Sequence, residues 1–185
     1  RSDGKLTIWS TQTGEIIKTI SLRESSYLNS IKISPDGKYI LAAGKYSSDG
    51  YIYIIETATG KHIWEHLIPN FKFNQVVFLN NGKQIIYQGF NKTKYIADKS
   101  IFYSEGHISI IDIASKKVIQ HFDGYGYNPM DREGVESAKP MIGLSADEKY
   151  LITRDAKNNV VLLDSVTGQV IQNFKINPSH WPSGS

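Results

Sequence analysis

Short apolar runs alternate with short polar turns along the whole chain, and one such unit is written four times. Leu6, Ile8 and Trp9 run into a turn at Gly14; Ile52, Ile54 and Ile55 into one at Gly60; Ile108, Ile110 and Ile111 into one at Lys116; Val160 to Leu163 into one at Gly168. A second strand returns from each turn, as in Glu15 to Ile20. The four turn positions lie 46, 56 and 52 residues apart. Self-similarity at that period marks a repeat architecture.

A second unit precedes three of these pairs. Asn29 to Ser34 and Lys38 to Gly44 flank Pro35-Asp36-Gly37, a turn with a mechanism: proline presets the first dihedral and glycine accepts positive φ. Gln75 to Leu79 and Gln84 to Gln88 flank a turn at 80–83, and Met141 to Ser145 and Tyr150 to Thr153 flank one at 146–149. Each repeat therefore predicts four short antiparallel strands, a to d, and no stretch carries the pattern of a three-turn helix. Such sheets repeated every 40 to 55 residues or so are blades of a β-propeller. The fold class expected is all-β, a propeller segment of about three and a half blades: a half blade over 5–22, whole blades over 28–67, 74–122 and 140–176, and a tail over 177–185. Propellers close with roughly 4 to 8 blades, and an open arc leaves apolar faces and strand edges in water. The expectation is thus a piece of a longer propeller, the remaining blades coming from the rest of the parent chain.

The stretch Ile33-Ser34-Pro35-Asp36-Gly37-Lys38-Tyr39-Ile40-Leu41 resembles the a–b turn of WD40 and related YVTN-type propellers. Trp9-Ser10, Ile55-Glu56, Ile111-Asp112 and Leu163-Asp164 stand where WD40 repeats end strand c with Trp-Asp; Trp9 keeps the Trp, and Asp112 and Asp164 keep the Asp. The Gly-His pair that WD40 blades carry ahead of strand a is absent. Thr59-Gly60 with Trp64 is also similar to the Thr-Gly turn of quinoprotein propellers. The resemblance implies a divergent WD40-like segment, a non-enzymatic platform for protein partners. The alternatives are part of a YVTN- or quinoprotein-type enzyme, and a structural or surface module.

Composition narrows this little further. The 185 residues are 40% hydrophobic and include no cysteine, which excludes disulfides and thiolate metal sites. No apolar run approaches the roughly 18 residues of a membrane span. A net charge of +3, spread without blocks, gives no reason to expect a nucleic-acid surface. The compartment stays open, the cytoplasm being slightly preferred over the periplasm or the exterior.

Function is sought in the loops. In an antiparallel blade the a–b and c–d turns share one face, and the b–c and d–a connections the other. The first set is uniformly short. The expansions at 45–50, 91–106 and 124–139 all fall on the b–c/d–a face, which predicts a protein-binding surface there. Its candidate residues are Tyr46, Lys94, Tyr95, Phe102, Tyr103, Tyr125, Tyr127 and Arg132, aromatic and basic side chains of the kind that anchor interfaces. The same aromatics also suit packing of the loops onto the blade tops. No catalytic, cofactor or metal residue is expected. His62 and His66 share an i,i+4 spacing that spans about 13 Å on a strand, too far for one ion. His121 reads as a surface or inter-blade residue, Asp36 and Asp147 as turn residues, and Asp112 and Asp164 as repeat packing. Asn29, Lys32, Gln75 and Ser145 are the polar members of the strands expected to line a channel. Asn91-Lys92-Thr93 fits a glycosylation sequon, meaningful only in a secretory setting.

Overall fold

Strands b and c are apolar on both faces, and the computed structural model shows why. It describes residues 4–23, 27–79, 82–91, 94–96, 101–103, 106–125, 142–155 and 159–175, with backbone alone for 94–96 and 101–103. Three four-stranded antiparallel sheets follow a half blade. The half blade is β1 (Lys5–Trp9) and β2 (Ile16–Ser21). Blade I is β3 (Tyr27–Ile33), β4 (Tyr39–Tyr46), β5 (Asp49–Glu56) and β6 (His62–Ile68). Blade II is β7 (Phe71–Leu79), β8 (Gln84–Asn91), β11 (Gly106–Asp112) and β12 (Lys117–Asp123). A hairpin, β9 (Lys94–Ile96) and β10 (Ile101–Tyr103), is inserted between its second and third strands. Blade III is β13 (Gly143–Leu144), β14 (Tyr150–Arg154), β15 (Val160–Asp164) and β16 (Val170–Phe174). No helix occurs among the described residues, and the fold is that of a β-propeller segment.

Side chains on a strand alternate between faces, so the middle strands of blades I and II serve two cores each. From blade I, Ile40, Ala42, Tyr51, Tyr53 and Ile55 pack with Leu6, Ile20 and Leu22 of the half blade. The alternate residues Leu41, Ala43, Ile52 and Ile54 pack with Phe71, Phe73, Val76, Ile85 and Tyr87 of blade II. Blade II then turns Ile86, Ile108, Ile110 and Phe122 toward Ile142, Leu151, Val161 and Leu163. The near-continuous hydrophobic runs of strands b and c are thus the signature of burial on both sides.

The repeat extends to details that a one-strand reading cannot show. All four c–d pairs shift register by one residue at the same place, between Ile8/Trp9, Ile54/Ile55, Ile110/Ile111 and Leu162/Leu163. All four turns close by the same bond, from the amide of Gly14, Gly60, Lys116 or Gly168 to the carbonyl four residues earlier. Lys116 adopts φ 59° where the other three use glycine. The side chains of Asp112 and Asp164 accept the amides of Ser115 and Thr167, at 2.7 and 2.6 Å, so these acids are turn residues. On the a–b turns, Ser34 Oγ donates to Asp36 (2.7 Å) and accepts the Tyr39 amide (2.9 Å); Ser145, Asp147 and Tyr150 repeat this arrangement.

Polar clasps tie the blades as well. Gln75 accepts the Ile142 amide (3.0 Å) and donates to the Ile142 carbonyl (3.1 Å), and Asn29 donates to the Phe73 carbonyl (2.8 Å). These two amides, expected to line a channel, are instead engaged with neighbouring blades. Lys18 of β2 and Gln120 of β12 hold equivalent places and donate to the c–d turn of the next blade, at the carbonyls of Ala58 and Val166. Trp64 holds that place on β6 and packs, with Ile113, against the core between blades I and II.

Phe71 carries the clearest energetic consequence, since it is fully buried between two blades. Phe71→Ala is expected to destabilise the chain by about 3–5 kcal/mol, read as a lowered denaturation midpoint with an unchanged slope.

Candidate functional site

Residues 45–50 are no loop: Tyr46 pairs with Asp49 across a two-residue turn in which Ser47 takes φ 53°. Extension of the ladder to its last residue satisfies backbone groups that a loop would leave to water. Tyr46 stands at the tip, 40% exposed, with its ring edge-on to Tyr51 at 6.3 Å. Within the 91–106 expansion, Lys94–Ile96 and Ile101–Tyr103 pair as strands, with Phe102 opposite Tyr95 and Tyr103 opposite Lys94. The pleat brings these four candidates into adjacent register positions, which a linear reading does not reveal. Tyr125 is half-buried, packs on the core between blades II and III, and bridges Asp155 through its backbone. It therefore holds its loop to the blade. Tyr127 and Arg132 lie outside the described residues.

A different group of side chains gathers at the root of both long connections. His107 is the second residue of β11, just after the hairpin insertion, and Asp123 ends β12, just before the 124–142 connection. Antiparallel register sets His107 opposite Asp123 and Ser109 opposite His121. Being two apart on their strands, the four share one face of the sheet. That face is the one turned toward blade I, where Phe71 stacks on the His107 ring at 4.8 Å. Gly89 makes room for Phe71, since a Cβ there would come within 2.4 Å of its ring.

The geometry is specific. His121 Nδ1 lies 2.7 Å from Ser109 Oγ, and its Nε2 lies 2.9 Å from Asp123 Oδ1. The two imidazole rings are 4.6 Å apart. One ligand atom from each of His107, His121 and Asp123 falls within 4.8 Å of the others. Ser109 is fully buried and in turn hydrogen-bonds Tyr87, whose hydroxyl is pushed above its ordinary pKa by burial against that bond. Burial, reinforced by the neighbouring His121 and opposed by Asp123, holds the His107 ring down at about 4. His107 is therefore neutral at neutral pH.

In the sequence the five histidines, His107 and His121 among them, show no metal-ligand spacing beyond His62 and His66, and His121 reads as an ordinary surface or inter-blade residue. The available signal was the hairpin register: counting back from the Lys116 turn, past the one-residue shift, sets 107 against 123. His62 contacts the Ser21 carbonyl (3.1 Å), and His66 stacks on Trp64 (5.2 Å).

No family model matches the chain, and no curated protein matches its sequence. Among solved structures, Kuenenia stuttgartiensis hydrazine synthase, a β-propeller-containing protein, is similar, with a TM-score of 0.65 at 15% identity over 94% of this chain. The chain spans less than half of that protein, 43% of its length. The likeness supports the fold and carries no activity across. No helix among the described residues is long and apolar enough to cross a membrane.

The depressed His107 value has a testable sign. Between its ordinary 6.5 and about 4, the unfolded chain takes up a proton that the folded chain refuses. Stability is therefore expected to fall as pH drops through that window. In chelator-treated protein, thermal melts of His107→Gln should lose part of the slope seen for wild type between pH 6.5 and about 4.

Proposed function

We propose that this WD40-like propeller segment is a binding platform, and that a protein partner docks on the b–c/d–a face. The observation behind the reading is the one-sided expansion of the blades. Among the described residues the a–b and c–d turns are tight and closed by repeated hydrogen bonds, whereas blade II alone extends a hairpin from the opposite face. A hairpin is a costlier way to join two strands than a short turn, because every ordered residue surrenders about 1–2 kcal/mol of backbone entropy. Its cluster of Lys94, Tyr95, Phe102 and Tyr103 is of the composition that anchors interfaces. Tyr46, exposed at the tip of blade I on the same face, extends the surface. Tyr125 is placed in the scaffold of that face, given its packing on the core.

The test is capture of partner protein from extract by wild type and by a variant with residues 92–105 replaced by a two-residue Asn-Gly turn. Tyr95→Ala/Tyr103→Ala is the finer substitution. Partner recovery should be lost in the first and reduced at least about tenfold in the second, the scale of a hot-spot pair. Lys61→Ala on the opposite face should leave it unchanged. Full recovery by the hairpin-less variant overturns the reading.

A further inference from the structure

We propose that His107, His121 and Asp123 form a binding site for a divalent transition-metal ion of the zinc class. Two imidazoles and one carboxylate are a donor set suited to zinc and its borderline neighbours, and three protein ligands leave a position open.

Distance is the first argument. Zinc holds nitrogen and oxygen ligands at about 2.0–2.2 Å, so ligand atoms around a tetrahedral ion stand about 3.4 Å apart. Here they lie within 4.8 Å, with the His121–Asp123 pair already at 2.9 Å. Closing the remaining gap falls to the exposed side chains of His121 and Asp123.

The surroundings supply a second, independent argument. A ligating histidine needs its other ring nitrogen held, which fixes both tautomer and orientation. Ser109 does this for His121: its Oγ, fully buried, faces Nδ1 at 2.7 Å and leaves Nε2 directed at the site. The bond between Ser109 and Tyr87 anchors the serine in turn. The stacked Phe71 fixes the plane of the His107 ring. An apolar wall therefore lies on the inner side. The outer side opens to solvent past Asp123, whose side chain is 85% exposed, so an ion has a way in and a fourth ligand a place.

The histidines also approach each other across the strand pair, and His121 is itself exposed beside Asp123. Without an ion, the same contacts amount to a surface His121–Asp123 pair beside a stacked ring. The two descriptions differ in what they bind. The site shares a face with the proposed partner surface, but its ligands belong to β11 and β12 and are independent of the hairpin tip.

Isothermal titration of ZnCl2 into the EDTA-dialysed chain decides between them, with Co2+ as a spectroscopic probe. The expected result is one equivalent of Zn2+ per chain and the intense visible bands of four- or five-coordinate Co2+. Asp123→Asn, an exposed substitution that spares the core, and His121→Asn should each weaken binding by about 10–100-fold. Ser109→Ala should weaken it about tenfold, through the lost orientation of His121. His66→Asn should leave it intact. Absence of stoichiometric binding to the wild-type chain overturns the site, as does binding that survives both Asp123→Asn and His121→Asn. Because the titration contains no partner protein, its failure leaves the docking reading standing, and failure of partner capture leaves the metal site standing.

Discussion

Burial of the middle strands on both faces is the constraint from which the rest follows. A four-stranded sheet with one apolar face can stop at a single partner; blades I and II have two, and each lies between neighbours. The alternation in strand β5 shows this directly: Tyr51 and Tyr53 face the half blade, while Ile52 and Ile54 face blade II. Once blades are stacked in this way, freedom remains only at strand ends and on outer edges. Function in such a scaffold has to be built there.

The His107–His121–Asp123 group illustrates the point. Its members are not loop residues. They stand near the open ends of two ladder strands, paired by register and backed by Phe71 from the first strand of the same blade. The same inter-blade core that stabilises the fold therefore orients a polar cluster at its rim. The rigidity such a site requires is supplied by packing already needed for folding.

Much of the fold was legible because turn chemistry recurs. Pro35-Asp36-Gly37, Ala146-Asp147-Glu148 and the glycines of the c–d turns mark strand ends independently of tertiary context. Two places were not legible, both for reasons of register. The first strand of blade II reads as beginning at Gln75, yet it begins at Phe71; a bulge between Phe73 and Gln75 breaks the period of two that would have joined the segments. Tyr46-Ser47-Ser48-Asp49 reads as a loop because nothing in it favours positive φ, yet Ser47 adopts it and the ladder runs to its end. The cluster at the rim was hidden by the same cause. His107 lies 14 and 16 positions before His121 and Asp123, and only the shifted register between Ile110 and Ile111 makes them neighbours. Within the 91–106 expansion the sequence reads as a loop, whereas Lys94–Ile96 and Ile101–Tyr103 pair as strands.

The measurement that bears most directly on this account is X-ray absorption at the zinc edge of the chain carrying one equivalent of Zn2+. If the rim of blade II is a built site, the spectrum shows a light-atom shell at about 2.0–2.1 Å with outer scattering from two imidazoles. A six-oxygen shell without imidazole scattering would contradict it, and would reduce His107, His121 and Asp123 to a surface pair beside a buried ring.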